Sequence, residues 1–266
     1  MLQNKPVRAK KHLGQHFLED SHYAERIADA LGESARTGIV LEIGPGTGAL
    51  TRPLKDRTSK TPYGLELDAE SVQFLLDTET LPRDHIIEHD LLKWSPNHHP
   101  DFQENPFTLV GNFPYNISSQ ILFWMLDHRE QIPELVGMFQ KEVAERVVAP
   151  HGSKTYGILS VLIQLYYNGV YLFTVPPGAF SPPPKVQSGV IRLCRVEEYN
   201  IGVDYTHLKR VVKAAFNQRR KTLRNALRSG GFDISNVDEA LLLKRAEQLS
   251  PQAFAQLAQA IPRSGS

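Results

Sequence analysis

The stretch Leu41-Glu42-Ile43-Gly44-Pro45-Gly46-Thr47-Gly48 decides the fold that this sequence predicts. It continues an apolar run that starts at Ile39, and such a run is typical of a parallel strand buried on both faces. The run ends in three glycines at alternate positions, and a helix-like stretch follows from Ala49. Glycine allows a sharp turn and lets a ligand approach the backbone where a Cβ atom would block it. The stretch therefore predicts a loop for a nucleotide-type ligand at the end of a strand in an α/β sheet.

Apolar strands recur with a regular spacing along the first half of the chain. They are predicted to end near Ile43, Leu65, Ile87 and Gly111. A spacing of about 22 residues is what repeated βαβ units produce, because each pair of parallel strands needs a crossover helix. A polar residue lies at or just after three of these strand ends: Glu66, Asp90 and Asn112. Because the carboxyl ends of parallel strands form the ligand crevice of an open sheet, these side chains and the glycine loop are expected at one rim.

The rest of the pattern predicts two domains. Residues 1–200 are expected to form an α/β, Rossmann-like domain with a seven-stranded, mostly parallel sheet whose last strand is antiparallel. Its later elements are predicted as strands at Leu135–Phe139, Val170–Thr174 and Gly189–Leu193, with a helix from about Tyr156 to Tyr167. Residues 201–266 are expected to form a small all-helical domain. Its helices are predicted at Thr206–Phe216, Lys221–Arg228, Val237–Leu242 and Pro251–Ile261.

Composition excludes several classes of protein. The 266 residues are 41% apolar and 22% charged with a net charge of +1, so no global field points to a nucleic-acid partner. The single cysteine, Cys194, excludes an internal disulfide and a cysteine-based metal cage, and it suits a reducing compartment. His98-His99 has no third ligand at useful spacing, so no metal is expected. Neither a membrane span nor a signal peptide is evident, and a cytoplasmic location is expected.

Basic residues cluster in two places despite the near-neutral total. The N-terminal segment carries Lys5, Arg8, Lys10 and Lys11, with no acidic residue before Glu19. The first two helices of the C-terminal domain carry Lys209, Arg210, Lys213, Arg219, Arg220, Lys221, Arg224 and Arg228. No acidic residue interrupts that second cluster between Thr206 and Arg228. A solvated helix face usually mixes both signs, so a cluster of one sign favours contact with phosphates, although a solvated face and a frayed terminus stay open as alternatives.

The stretch Gly111-Asn112-Phe113-Pro114-Tyr115-Asn116 indicates which ligand the glycine loop serves. The loop itself, Gly44-x-Gly46-x-x-Ala49, fits a nicotinamide or flavin cofactor as well as S-adenosylmethionine. An amide, a proline and an aromatic ring have no evident use in hydride transfer, but they suit methyl transfer to an exocyclic amine. The side-chain carbonyl of Asn112 and a backbone carbonyl of the next two residues can accept both N–H groups of the amine. Proline stiffens the loop, and a planar base can stack on Tyr115.

Several short motifs, in order, resemble one family. Asn-Phe-Pro-Tyr is similar to the Asn-x-Pro-Tyr signature of adenine-N6 methyltransferases, and the whole chain resembles the small-subunit ribosomal RNA adenine dimethyltransferases of the KsgA/Dim type. The segments that carry this resemblance are Gly14–Leu18, Glu42–Gly48, Glu66–Asp68, Asp90, Asn112–Ser118, Gln140–Val143, Phe180–Val186 and Ala215–Thr222. Each motif is short, but the ordered set is highly specific, whereas a lone glycine motif is not.

The resemblance implies a role for each matched position. The residues expected to contact S-adenosylmethionine are His16, Leu18, Gly44, Gly46, Glu66, Asp90 and Asn112. Glu66 is expected to accept hydrogen bonds from both ribose hydroxyls, and Asp90 from the adenine amine. The family often has asparagine where this chain has His16. Asn112, Pro114 and Tyr115 are the residues expected to hold the target base, with Asn112 between the cofactor and the base.

The implied partner is ribosomal RNA of the small subunit, or the immature subunit itself. The residues expected to contact this RNA are Lys10, Lys11, Phe180, Arg219, Arg220, Lys221 and Arg224. Phe180 is expected to offer a second stacking face beside the target base. The implied reaction is N6,N6-dimethylation of two adjacent adenosines in the 3′-terminal hairpin of that RNA. No metal is expected, because a sulfonium methyl is already electrophilic, and a two-domain enzyme that docks on a particle is expected to act as a monomer.

Three alternatives stay open at this point. The first is a related adenine methyltransferase that acts on large-subunit RNA, although the Phe216–Thr222 and Pro182–Val186 stretches favour the small-subunit branch. The second is a ribosome-assembly factor whose binding, rather than methylation, is the main function. A nicotinamide-dependent oxidoreductase is the third.

Overall fold

The computed structural model describes residues 7–197 and 201–263, and the chain divides into two compact units. The first unit comprises Met1–Ala144 and Gly169–Arg195, and the second comprises Glu145–Asn168 and Val196–Ser266. Lys5 of the predicted N-terminal basic cluster lies outside the described residues. The predicted boundary near residue 200 is close to the start of the final segment, but residues 145–168 also belong to the helical unit. This grouping was not predicted.

The strands form one large sheet and one small sheet. Their bounds are β1 Phe17–Leu18, β2 Ile39–Ile43, β3 Tyr63–Glu66, β4 Ile86–Glu88, β5 Phe107–Asn112, β6 Glu134–Gln140, β7 Tyr167–Val175, β8 Phe180–Ser181 and β9 Ser188–Arg195. The large sheet has seven strands in the order β4-β3-β2-β5-β6-β9-β7. Parallel pairing joins β4, β3, β2, β5 and β6, whereas β9 is antiparallel to β6 with Leu135 opposite Leu193. The predicted mostly parallel, seven-stranded, Rossmann-like sheet is confirmed.

Helices connect and cover these strands. Their bounds are α1 Ser21–Asp29, α2 Glu33–Thr37, α3 Thr51–Arg57, α4 Ala69–Asp77, α5 Pro100–Gln103, α6 Ser118–Asp127, α7 Lys141–Val148, α8 Ile158–Gln164, α9 Tyr205–Asn217, α10 Leu223–Ser229, α11 Glu239–Leu242 and α12 Pro251–Ala260. Short 3-10 helices lie at Lys11–Leu13, Arg83–His85, Leu91–Lys93, Pro96–His98, Tyr115–Ile117, Pro177–Ala179 and Ala246–Gln248. Side-chain caps begin several helices; for example, Asp20 accepts a hydrogen bond from the His22 N–H at the start of α1.

Strand order creates a switch point between β2 and β5. From β2 the chain moves outward through β3 and β4, then returns to place β5 on the other side of β2. The pairing is parallel, with Glu42 opposite Val110. In open α/β sheets the ligand crevice lies outside the carboxyl ends of the strands at such a point. The glycine loop that follows β2 and the Asn112 loop at the end of β5 therefore meet at one place.

Two features of the fold differ from expectation. The predicted helix from about Tyr156 to Tyr167 is shorter, because Tyr167 begins β7 and belongs to the sheet. A second, two-stranded sheet joins β1 to β8 in antiparallel register, with Leu18 opposite Phe180. Strands of two residues carry no periodic signal, so the sequence did not predict this small sheet.

The helical unit has its own core. The ring of His207 on α9 is buried, and its Nε2 lies 3.0 Å from the carbonyl oxygens of both Ala258 and Ile261. Because both partners can only accept, Nε2 carries the proton and ties α9 to the C-terminal end of α12. The rings of Phe216 and Phe254 stack with centroids 5.6 Å apart. Helix α8, whose residues Leu159–Ile163 are buried, packs on α9 and α12, which explains why residues 145–168 group with this unit.

Within residues 7–197 and 201–263, no helix is long and apolar enough to cross a membrane. The same described residues contain no group of three or more histidine, cysteine, aspartate or glutamate side chains arranged to hold a metal ion.

The ring of Phe113 is the central packing feature beneath the crevice. It is 1% exposed and stacks on Phe139 with ring centroids 4.7 Å apart. Its edges lie against two glycines of neighbouring strands, Gly111 on β5 and Gly137 on β6. A Cβ atom on Gly137 would lie 2.1 Å from Phe113 Cε2, which no relaxed structure tolerates. Glycine at 137 is therefore required by the ring, and the ring sets the position of the loop that follows.

We expect Gly137→Ala to lower the free energy of unfolding by about 1–3 kcal/mol, the usual cost of overpacking a tight core. Gly178→Ala is the matched control, since a Cβ atom there would meet nothing within 4 Å. Urea denaturation of both variants measures the difference. Adding Phe113→Leu to Gly137→Ala should recover part of the loss, and equal stabilities of the two alanine variants would contradict the packing argument.

Candidate active site

A cavity of about 240 Å³ lies at the carboxyl ends of the central strands. Its walls come from the segments that follow β2, β3, β4 and β5, together with the N-terminal residues Leu13–Phe17. The predicted site residues that it brings together are His16, Gly44, Gly46, Glu66, Asp90, Asn112, Pro114 and Tyr115. The expectation that the glycine loop and the three polar strand-end side chains share one rim is confirmed.

The glycine loop exposes its backbone to this cavity. Gly44 has φ of 66° and Gly46 has φ of 54°, a left-handed region that side chains with a Cβ atom rarely adopt. A Cβ atom on Gly44 would meet nothing within 4 Å, so the space beside it is open to a ligand. A Cβ atom on Gly46 would lie 3.0 Å from the ring of Phe17, which leaves no room there for a side chain.

Glu66 is buried where β3 ends, and both of its carboxylate oxygens receive a backbone N–H. Oε2 accepts from Gly46 at 3.0 Å, and Oε1 accepts from Asp68 at 2.9 Å. Burial raises the pKa of the Glu66 carboxyl, and these backbone hydrogen bonds oppose the rise. Each carboxylate oxygen can accept more than one hydrogen bond, so acceptor capacity remains for a ligand in the cavity. The carboxylate also fixes the glycine loop relative to the end of β3.

Glu42 is a second buried carboxyl, beneath the glycine loop. It belongs to the sequence motif, but the sequence analysis assigned it no role. It is 2% exposed and accepts a hydrogen bond of 2.6 Å from the Thr51 hydroxyl at its Oε2. Burial raises the pKa of Glu42 to about 8, the Thr51 hydrogen bond opposes this rise, and the negative charge of Glu66 adds to it. Glu42 is therefore mainly protonated in the folded protein at neutral pH and supports the loop as a neutral group.

We expect this carboxyl to give stability a pH dependence. The folded protein keeps the Glu42 proton up to about pH 8, whereas the unfolded chain loses it near 4.5, so stability falls as pH rises through that window. Glu42→Gln keeps an acceptor for Thr51 but cannot ionise. Thermal unfolding is measured between about pH 5 and 9. As pH rises, the melting temperature should fall less for Glu42→Gln than for the parent protein.

Glu104→Gln is the control for this measurement, because Glu104 is exposed in a loop outside the cavity. It should retain the full decline in melting temperature. Parallel curves for Glu42→Gln and the parent protein would contradict the burial argument.

Asp90 lies at the opposite side of the same rim, after β4. It caps the short helix Leu91–Lys93, because its Oδ1 accepts a hydrogen bond of 3.0 Å from the Leu92 N–H. Its Oδ2 lies 3.6 Å from the ammonium of Lys93, and its side chain is 30% exposed. The cap orients the carboxylate, and Asp90 is among the residues that line the cavity.

Asn112 has a defined amide orientation. Its Nδ2 donates a hydrogen bond of 2.8 Å to the backbone carbonyl of His16. A backbone carbonyl can only accept, so the nitrogen must face His16 and the side-chain oxygen must face away from it. No donor to that oxygen occurs among the described residues. Asn112 therefore presents a free carbonyl oxygen at a cavity wall.

Tyr115 is held from two sides. Its hydroxyl forms a short hydrogen bond with the Ser188 hydroxyl at the start of β9, and its ring lies 5.4 Å from the His16 ring, centroid to centroid. Burial raises the pKa of the Tyr115 hydroxyl, so the side chain remains neutral. The Nδ1 atom of His16 lies 2.8 Å from the carbonyl oxygen of Pro182, which can only accept, so this nitrogen carries the proton.

Three predicted site residues pack against or pair with other parts of the chain. Leu18 and Phe180 are each 4% exposed in one apolar cluster, and neither is among the described residues that line the cavity. Cofactor contact by Leu18 and base stacking by Phe180 stay predictions, and the neighbouring Phe17 lines the cavity. The Lys10 ammonium lies 2.5 Å from Asp68 Oδ1, so this lysine is already paired within the chain. Lys11 is exposed.

The remaining predicted RNA contacts lie in the helical unit. Arg219, Arg220 and Lys221 are exposed in the turn between α9 and α10. Arg219 donates a hydrogen bond of 2.7 Å to the carbonyl of Lys154, which orients its guanidinium without neutralising the charge. Arg224 is different, because it forms an ion pair with Glu239.

The fold and the cavity together define the Rossmann-like class of methyltransferases. In a crystal structure of a dimethyladenosine transferase from Plasmodium falciparum, 96% of that chain superposes on 91% of this one with a TM-score of 0.73 and 25% identity. A crystal structure of the 23S rRNA methyltransferase ErmE shares the fold, with a TM-score of 0.67 over 92% of this chain and 98% of that one, at 24% identity.

Sequence comparison makes the assignment more specific. The profile described as ribosomal RNA adenine dimethylase matches residues 7–261. The ribosomal RNA small subunit methyltransferase A of Cytophaga hutchinsonii is 51% identical over 93% of this chain and 95% of its own length. The chain belongs to the ribosomal RNA adenine dimethylase family.

Proposed function

We propose that this enzyme transfers methyl groups from S-adenosylmethionine to N6 of two adjacent adenosines in the 3′-terminal hairpin of small-subunit ribosomal RNA. The observation that carries the proposal is the fixed amide of Asn112, whose free carbonyl oxygen lies at the same cavity as the glycine loop and Glu66. The names of the relatives reported above support the small-subunit substrate. A substrate of this kind implies that the enzyme works in the cytoplasm, and we propose that it does so as a monomer.

The residues at the cavity fit the proposed methyl donor. The open space beside Gly44 can receive the methionine portion against bare backbone. Glu66 retains acceptor capacity for two ribose hydroxyls, and Asp90 has a carboxylate oxygen left to accept from an adenine amine. The bound donor would supply a methyl group that is already electrophilic, so we propose a reaction that uses no metal.

The chain's own residues would then orient the target amine. Its two N–H groups need two acceptors, and the Asn112 side-chain oxygen is one of them. The Pro114 carbonyl already accepts from the Ile117 N–H and the Ser118 hydroxyl, which favours the Phe113 carbonyl as the second. Two such hydrogen bonds favour a pyramidal nitrogen and free its lone pair from the ring. The proton leaves to water after transfer.

Positioning would supply most of the rate enhancement. Pro114 restricts the loop, Phe113 anchors it in the core, and the Tyr115 ring offers a face for the flipped base. Holding two reactants in line can account for about 7–11 kcal/mol of a barrier. An acid–base pair is therefore not required for this reaction.

The first test is methyl transfer to small subunits from cells that lack the endogenous enzyme, with labelled S-adenosylmethionine and mass mapping of the product. Dimethyladenosine confined to the 3′-terminal hairpin is expected. Asn112→Ala should reduce turnover at saturating cofactor by about 10²-fold or more, because one orienting acceptor is lost. Asn105→Ala, an exposed residue outside the cavity, is the control.

Other outcomes of this assay would contradict the proposal in distinguishable ways. Label in large-subunit RNA would indicate an adenine methyltransferase that acts on the large subunit. Tight binding to small subunits without any label would favour a ribosome-assembly factor. A rate for Asn112→Ala within tenfold of the parent would remove the amine-orienting role.

We propose that the exposed turn at Arg219, Arg220 and Lys221 contacts RNA phosphates. Replacing all three by alanine should weaken RNA binding and flatten its salt dependence by roughly one unit of slope per lost contact. Replacing Lys244, Arg245 and Arg263, which are also exposed, removes the same charge from other surfaces of the helical unit. Filter binding across a range of salt concentrations compares the two triple variants. Equal slopes for both would contradict a specific role for the turn.

A further inference from the structure

The segment Lys10–Phe17, which we name the N-terminal strap, forms one wall of the cavity through Leu13–Phe17. It has little regular structure beyond the 3-10 helix Lys11–Leu13 and a turn closed by Gln15, whose side-chain oxygen accepts from the Lys10 N–H at 2.8 Å. Such a segment holds its shape only if side-chain contacts attach it to the sheet. Two sets of contacts do so, one to the loop that follows β5 and one to Asp68.

One set of contacts attaches the strap to the loop that follows β5. The Asn112 side chain donates to the His16 carbonyl at 2.8 Å, and the Asn116 side chain donates to the His12 carbonyl at 3.3 Å. Gly14, with φ of 65°, lies so close to Asn116 that a Cβ atom would come within 2.5 Å of its side-chain oxygen. These contacts join the strap to the residues proposed to hold the target base.

A second set of contacts attaches the strap to the carboxylate of Asp68. Its Oδ1 lies 2.5 Å from the Lys10 ammonium, and its Oδ2 accepts from the Gln15 side chain at 3.3 Å. The Asp68 side chain is only 1% exposed, whereas that of Lys10 is 29% exposed. A buried carboxylate needs a compensating cation, because desolvation otherwise favours its neutral form. Lys10 supplies that cation from the strap itself.

Asp68 remains ionised despite its burial. Burial alone would raise the pKa of the Asp68 carboxyl, but hydrogen bonds from Lys10, from Gln15 and from the Glu70 N–H hold it below its ordinary value. The same carboxylate caps α4 through the Glu70 N–H at 3.2 Å. The attraction between the strap and the sheet is therefore available throughout the neutral pH range.

Asp68 also contacts the proposed cofactor site through its backbone. Its N–H donates to Glu66 Oε1 at 2.9 Å, and Glu66 in turn accepts from Gly46 in the glycine loop. One residue thus holds a cavity wall with its side chain and orients the proposed ribose acceptor with its main chain. A change in the position of Asp68 would therefore affect both the strap and Glu66.

We propose that Asp68, through its ion pair with Lys10, is a positioning residue that holds the N-terminal strap in place as a wall of the cofactor cavity. The proposal rests on the proposed function for the identity of the ligand. Its consequence is that loss of the pair weakens cofactor binding by about tenfold while leaving turnover at saturating cofactor within about twofold.

The variants separate charge from folding. Lys10→Met keeps the aliphatic chain of a partly exposed residue and removes only the charge. Asp68→Asn keeps a good helix cap, since asparagine caps as well as aspartate, but removes the ion pair. Glu70→Gln is the matched control, because Glu70 is the second carboxylate near Lys10, at 3.4 Å, but is 61% exposed.

Two measurements on the full chain test the proposal. Hydrogen–deuterium exchange without ligand follows the amides of residues 11–17, and calorimetry follows the affinity for S-adenosylhomocysteine. For Lys10→Met and Asp68→Asn, exchange in the strap should accelerate by at least about tenfold and affinity should fall, while Glu70→Gln matches the parent protein. For Asp68→Asn, KM for S-adenosylmethionine should rise with kcat nearly unchanged.

Failure of this inference can be told from failure of the proposed function. Unchanged exchange in Lys10→Met, or weaker affinity without faster exchange, would overturn the positioning role. Faster exchange in a protein whose parent form does not bind S-adenosylhomocysteine would support the role of Asp68 and remove the proposed cofactor.

Discussion

The parallel pairing of β2 with β5 is the constraint on which the site depends. Glu42 lies opposite Val110, so the two strands end side by side although a β3–β4 excursion separates them in sequence. The loop after β2 offers bare backbone, and the loop after β5 offers an oriented amide. Phe113 sets the second loop by filling the space that Gly111 and Gly137 leave open. Without the β2–β5 register, the loops that follow these two strands would not line the same cavity.

Sequence periodicity predicted this arrangement because the relevant information is local. Buried parallel strands give continuous apolar runs, their spacing reflects the crossover helices, and the polar residue after each run marks a carboxyl end. Glu66, Asp90 and Asn112 could therefore be assigned to one rim before any coordinates were known. The antiparallel direction of β9 was also predicted, but its place between β6 and β7 depends on pairing across the chain.

Some details of the site depend on long-range packing and pairing that leave no signal in the sequence. Leu18 and Phe180 face an apolar cluster because β1 pairs with β8, and two-residue strands leave no pattern in sequence. The ion pairs of Lys10 and Arg224 likewise join residues far apart in sequence or on different helices. A basic residue in a one-signed cluster has the same sequence signature whether it meets phosphate or a carboxylate of its own chain. Long-range partners decide that question, and periodicity carries no information about them.

Three buried carboxyls around the glycine loop have different environments. Glu42 is mainly neutral because burial outweighs the Thr51 hydrogen bond, whereas Asp68 is charged because Lys10 supplies the cation. For Glu66, burial raises the pKa of the carboxyl, and hydrogen bonds from two backbone N–H groups oppose this rise. A ligand with positive charge beside the loop would stabilise the ionised form of Glu42, so its binding is thermodynamically linked to proton release. A neutral ligand would gain nothing from that linkage. The electrostatics of the loop therefore favour a cation, which agrees with a sulfonium as the proposed methyl donor.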